Sequence, residues 1–268
     1  MLVTDDFIML NFPKTGSSFA REAIRRAYGY SNSRLSRALI KLGFVTPKIE
    51  ELRFPKIDEI YHSDIVDQHG TWRQIPPELQ NRPVLSISRD PLSRYLSAYR
   101  YGWWRKYPPG DAVELEARYP GFPEISFEQF LDMSNHFGLR NRLGGIVPRI
   151  QLGQHTVQFI QFYFREPEKV LSTIDEEYIS REKYRDDMAD VTFLEQDNLR
   201  HDLKSFLLGV GKPASELAFL DEMEEINTST GSESIQWREK AVTDTAAVQD
   251  IFMRDRLIYS IFPHYRPD

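Results

Sequence analysis

The stretch Phe7-Ile8-Met9-Leu10 and the residues after it, Asn11-Phe12-Pro13-Lys14-Thr15-Gly16-Ser17-Ser18-Phe19, constrain the fold more than any other part of the chain. An apolar run of strand length gives way to a turn of small residues and then to helical spacing. Phe19, Ala20, Ala23, Ile24, Ala27 and Tyr28 fall on one helical face, with Arg21, Glu22, Arg25 and Arg26 on the other. Residues 7–12 therefore read as a short buried strand and 17–28 as a helix that stops at Gly29. The same alternation recurs. A second helix is expected over 33–42, a strand over 57–62 and a third strand over 83–88. Asp90-Pro91 caps the next helix, with proline at its first position. A late strand at 191–194 precedes a helix that runs through Leu208 and ends near Gly209 and Gly211. Strands alternating with helices predict an α/β fold with a mostly parallel sheet flanked by helices.

Composition bounds the function classes. The 268 residues are 41% hydrophobic and 28% charged, and this length allows one large domain or two small ones, a single domain over 1–268 being expected. A net charge of −6 argues against a nucleic-acid binder. The absence of cysteine excludes disulfides, thiolate metal sites and a cysteine nucleophile. No leader peptide and no run long enough to span a bilayer is read in the chain, so a cytoplasmic protein is expected. Charge is uneven. Arg21, Arg25, Arg26, Arg34, Arg37, Lys41, Lys48 and Arg53 outnumber Glu22, Glu50 and Glu51, which reads either as solvated helix faces or as a basic rim beside an anionic ligand.

The opening loop has the chemistry of an anion site. The first amides of a helix have no partner inside it, and the helix dipole is positive there. Gly16 lets a ligand approach the backbone, Ser17 and Ser18 can donate hydroxyls, Lys14 brings a mobile charge and Pro13 fixes the exit from the strand. The other reading is a serine cap beside an exposed lysine. The pattern GxxxxGK[ST] is absent, because here the lysine precedes a single glycine. A second motif, Ser86 to Tyr101, reads SISRDPLSRYLSAYRY. Arg89 ends a strand, where α/β sheets place ligand groups. On the helix beyond it, Leu92, Tyr95, Leu96 and Tyr99 share one face, while Ser93, Arg94 and Ser97 are expected on the other. Arg89 and Ser97 are thus candidates for a second anion, and two anion sites at strand ends suit a nucleotide with phosphates at both ends.

FPKTGSSF resembles the 5′-phosphosulfate loop of PAPS-dependent sulfotransferases, and RDPLSRYLSAY resembles their 3′-phosphate motif, an arginine with a serine eight positions on. VTFLEQDNLRHDLKSFLLGVG is similar to the late strand–helix segment of that family, and INTSTGSESIQWREK lies where relatives carry a loop over the nucleotide. Among its branches the chain is most like the carbohydrate 2-O-sulfotransferase-like one. The resemblance implies a fold related to the phosphate-loop kinases, no metal, and PAPS (3′-phosphoadenosine-5′-phosphosulfate) as sulfuryl donor. It assigns Pro13, Lys14, Thr15, Gly16, Ser17 and Ser18 to the 5′ end and Arg89 and Ser97 to the 3′-phosphate. Arg238 and Lys240 are either a closing pair or a surface pair.

The attacking hydroxyl of such a reaction must lose a proton. His62 and His69 lie between the two motifs, and an imidazole of ordinary pKa, about 6.5, suits that task. HGTWRQIP, His69 to Pro76, resembles the family segment that carries the base. His69 ranks first and His62 second, a hydrogen-bonded structural role being favoured for His62; a carboxylate is the fallback. Lys14 is suited to the leaving oxygen. Trp103, Trp104 and Tyr107 either stack on a flat acceptor or pack a core, with the core preferred. His136, His155, His201 and His264 show no metal-ligand spacing. The acceptor is a hydroxyl-bearing molecule, a saccharide before a lipid or secondary metabolite, and oligomeric state is not legible. Two rivals stand beside the sulfotransferase: a small-molecule kinase, which needs a magnesium ligand and a triphosphate loop, and a non-catalytic nucleotide-binding module, which needs neither Lys14 nor His69.

Overall fold

The computed structural model describes residues 1–29, 42, 48–55, 66–224 and 245–266. Among them lie seven strands: β1 (Leu2–Thr4), β2 (Ile8–Met9), β3 (Ile49–Glu51), β4 (Phe54–Pro55), β5 (Val66–Asp67), β6 (Val84–Ser88) and β7 (Thr192–Glu195). The described helices of ten or eleven residues are α1 (Ser17–Ala27), α2 (Pro91–Tyr101), α3 (Gln154–Tyr163), α4 (Leu199–Gly209) and α5 (Thr245–Arg254). None of the described helices is long and apolar enough to cross a membrane. The expected helix over 33–42 lies almost wholly, and the expected strand over 57–62 wholly, outside the described residues.

The chain groups into two compact units, each built from three separated segments. The first draws on Met1–Phe54, Asp67–Ser88 and Asp190–Thr228. It holds a five-stranded sheet in the order β3-β1-β2-β6-β7. β2 pairs parallel with β6, and β6 with β7, in the alternating strand–helix manner read from the sequence. The sheet as a whole is mixed, which corrects the parallel expectation: β1 runs antiparallel to both β2 and β3. The reason is the reversal Thr4-Asp5-Asp6-Phe7. The Thr4 hydroxyl oxygen accepts from the amides of Asp6 (3.2 Å) and Phe7 (2.9 Å), and the Thr4 amide donates to the Phe7 carbonyl at 2.9 Å. A side chain that closes its own turn folds β1 back onto β2.

One core of this unit joins Leu2, Met9, Leu85, Ile87 and Leu194 of the sheet to Phe19, Ala20, Ala23 and Ile24 of α1 and to Leu199, Leu203 and Leu207 of α4. Spacing of three and four along each helix supplies the apolar stripe, and spacing of two along β6 puts Leu85 and Ile87 on the same face. Part of the basic run is neutralised here. Arg21 and Arg25 both bond Glu51 of β3. Burial works against that carboxylate, yet the bonds from Arg25 and Arg21 hold its pKa below the ordinary value.

The second unit draws on Pro55–Val66, Arg89–Ala189 and Ser229–Asp268 and is mostly helical. Its core packs Tyr95 and Leu96 of α2 with Trp104, Leu115, Phe127, Phe130, Phe137, Ala247, Ile251 and Tyr259. Asp90 caps α2 as expected, accepting from the Ser93 amide at 2.8 Å. Arg94, expected beside Ser97 on the outer face, is instead buried at 3% exposure and donates to Gln158 Oε1 of α3. Burial, with Arg142 near it, lowers its pKa to about 9, which leaves it a cation at neutral pH.

Candidate functional site

The turn between β2 and α1 departs from ordinary backbone at two positions. Lys14 has φ 66° and Gly16 φ 88°, both left-handed. Only glycine adopts this region without a steric penalty, so Lys14 sits there against its preference. A Cβ on Gly16 would also lie 3.0 Å from Leu199 Cδ2, so the glycine serves both curvature and clearance. Between them Thr15 is fully buried and its hydroxyl donates inward to the Phe12 carbonyl at 2.9 Å. What Thr15 presents to a ligand is therefore its backbone rather than its hydroxyl. Pro13, Lys14 and Gly16 are half-buried, Ser17 is buried and Ser18 exposed. No side chain caps α1 at Gly16, and no acidic residue occupies its first turn. The positive end of the helix dipole is thus unopposed within its first turn.

His69 reaches the same strand end. Its Nδ1 lies 2.6 Å from the Asn11 carbonyl oxygen, directly after β2. A carbonyl only accepts, so Nδ1 carries the hydrogen and, in the neutral ring, Nε2 is the basic nitrogen. The neighbouring backbone is pinned from both sides. Gln68 O accepts from Asn11 Nδ2 at 3.2 Å and from the Met1 amino group at 2.6 Å. A Cβ on Gly70 would meet Phe54 Cδ2 at 2.7 Å and Met1 Cε at 2.8 Å, so a larger residue there would have to displace those two side chains. Asn11 is 1% exposed and its Oδ1 has no hydrogen-bond partner among the described residues. The orienting role of Asn11 leaves no sequence signal, because it is exercised through a backbone carbonyl. In the first unit the structure thus brings Lys14, Gly16, the start of α1 and His69 to the carboxyl end of β2. Chemically, that set can hold an oxyanion on amides and an ammonium beside a nitrogen base.

In the second unit Arg89 follows β6 immediately and is half-buried, as is Ser97 on α2. His155 of α3 stacks face to face on Tyr95 at 3.6 Å between ring centroids. Burial, then the charges of Arg94, Arg142 and Arg89, hold its pKa well below the ordinary value. Trp104 packs in the core, as preferred from the sequence, while Trp103 is 38% exposed, with Tyr107 4.4 Å and Tyr101 6.2 Å away between ring centroids. His62, Arg238 and Lys240 lie outside the described residues. Asp255 and Tyr259, which sequence reasoning passed over, tie the second unit together: Asp255 Oδ1 accepts from the amide and hydroxyl of Thr156, each at 2.8 Å, at the start of α3. Comparison with protein-family models, with curated proteins and with solved structures gives no match to this chain.

Proposed function

We propose that this protein is a PAPS-dependent sulfotransferase that moves a sulfuryl group to an acceptor hydroxyl, with a saccharide as the first acceptor class to try. The observation that carries the reading is the convergence at the end of β2. An uncapped helix start, entered through left-handed Lys14 and Gly16, shares that strand end with a histidine whose tautomer is set by the Asn11 carbonyl. The residues fit a phosphosulfate: amides at the start of α1, the Ser17 hydroxyl and the Lys14 ammonium are donors, and the loop supplies no competing carboxylate. On this reading Pro13 to Ser18 hold the 5′ end, and Arg89 and Ser97, with Arg238 and Lys240 as further candidates, hold the 3′-phosphate. PAPS supplies an activated sulfuryl group whose departure leaves a phosphate. His69 Nε2 takes the proton of the acceptor hydroxyl, while its Nδ1–H stays on the Asn11 carbonyl. Lys14 places an ammonium where negative charge gathers on the leaving oxygen, an interaction that strengthens as the bond breaks. Positioning and charge stabilisation dominate such transfers.

The test is a screen with sulfate-labelled PAPS against saccharides and extract fractions, run beside ATP with magnesium. Label transfer from PAPS supports the proposal. Phosphoryl transfer from ATP makes the protein a kinase, and nucleotide binding without turnover on any acceptor makes it a binding module.

A further inference from the structure

One turn of helix near the carboxyl end of the described chain touches the starts of two others. Asp255, at the head of the helix Arg256–Ile261, caps α3 through the two Thr156 contacts. A Cβ on Gly153 would lie 2.4 Å from Asp255 Oδ1, so the carboxylate occupies space that only a glycine leaves there. The Gly153 amide donates to the Arg254 carbonyl at 2.9 Å, which fixes this junction a second time. Four residues on, Tyr259 is 3% exposed and its hydroxyl donates to Asp90 Oδ1 at 3.4 Å. The other oxygen of Asp90 accepts from the Ser93 amide at 2.8 Å and so caps α2. Asp90 is therefore held by both oxygens: one sets the first turn of α2, the other ties it to a buried phenol on an anchored helix. Arg89 is its covalent neighbour.

From this arrangement we infer that Tyr259 is a positioning residue for Arg89, acting through Asp90. The inference rests on the proposed reading in which Arg89 holds the 3′-phosphate of the nucleotide. A carboxylate bonded on one side only can rotate about its side-chain torsions, and the backbone leaving Arg89 follows the cap. With the phenol in place, that rotation is blocked and the guanidinium leaves the strand end in one direction.

The experiment compares wild type, Tyr259→Phe and, as a control for loss of a buried phenol in the same unit, Tyr184→Phe, whose hydroxyl bonds the Ser260 carbonyl at 3.2 Å instead. Two quantities are read: hydrogen exchange at the Ser93 amide, and the ratio of affinities for adenosine 3′,5′-bisphosphate and AMP. Tyr259→Phe should quicken Ser93 exchange and lower the affinity ratio by about threefold to tenfold, the worth of one modest hydrogen bond. Tyr184→Phe should change neither. Unchanged Ser93 exchange in Tyr259→Phe overturns the inference, and so does quickened exchange with an unchanged ratio in a protein that prefers the bisphosphate. If wild type shows no preference for the bisphosphate, the proposed function falls instead. Ser93 exchange alone then decides whether Tyr259 holds the start of α2.

Discussion

Lys14 carries a side chain at φ 66°, a conformation in which a Cβ crowds the following carbonyl at roughly 1–2 kcal/mol. A backbone cost of that kind at a loop end is the pattern expected where position matters more than stability. It also separates the two consequences of losing Lys14. Lys14→Ala keeps the Cβ and loses the ammonium, whereas Lys14→Gly loses both. On the sulfotransferase reading each should depress the single-turnover rate by about 10²–10³-fold, the scale of losing one oxyanion donor. The glycine variant should nonetheless be more stable than the alanine variant, by about 1 kcal/mol in urea. Equal stability would show that the turn relaxes, and an unchanged rate with weakened donor affinity would make Lys14 a tether. His69 is tested beside it. His69→Ala should lower turnover by about 10²–10⁴-fold and leave donor affinity nearly intact. A mild effect hands the role of base to a carboxylate.

At the scale of elements, what was legible is what local chemistry decides. Asp90-Pro91 announced the start of α2, and apolar residues recurring on one helical face announced α1. Alternation placed β6, whose observed span, Val84–Ser88, falls within the expected one. The mixed sheet was not legible, because β1 is three residues long and its reversal is closed by Thr4 alone, through its hydroxyl and its amide. Nor was the burial of Arg94 or the anchoring by Asp255, since both depend on pairings 64 and 99 residues apart in sequence. These hidden contacts make the second unit pH-sensitive in two opposed ways. Burial pushes Asp255 up to about 6, although the Thr156 bonds pull it down. Between about pH 4 and 6 the folded chain therefore keeps a proton that the unfolded chain has lost, and stability falls as pH rises. His155 is the reverse. Its folded pKa is depressed by burial and three arginines, so below about 6.5 the unfolded chain gains a proton that the folded chain refuses, and stability rises with pH. In wild type the two slopes oppose each other over their shared window. Asp255→Asn should leave the rising slope and His155→Gln the falling one, each differing from wild type by up to about 1.4 kcal/mol per pH unit. Urea melts from pH 4 to 7 measure this, and slopes identical to that of wild type would refute it.

For the whole molecule, the decisive quantity is charge. The chain carries −6 overall, from 40 acidic against 34 basic residues, so bulk electrostatics repels a nucleotide more strongly the more phosphates it bears. On net charge alone, AMP should bind better than adenosine 3′,5′-bisphosphate. A preference for the bisphosphate must therefore come from short-range contacts strong enough to overcome that field. Arg89 and Ser97 are the groups proposed to make them. A charge-assisted hydrogen bond contributes roughly 1.5–3 kcal/mol, so wild type should favour the bisphosphate by about tenfold to a hundredfold in calorimetry. Arg89→Ala should remove most of that preference, because its contact is ionic and can be forked. Ser97→Ala should remove a smaller share. Each unit is assembled from three separated chain segments, so the measurement belongs on the full chain rather than on an excised half. Equal affinity of wild type for the two nucleotides would remove the 3′-phosphate site from this protein. Variants that melt early but bind normally in their folded fraction would make Arg89 and Ser97 supports of the fold.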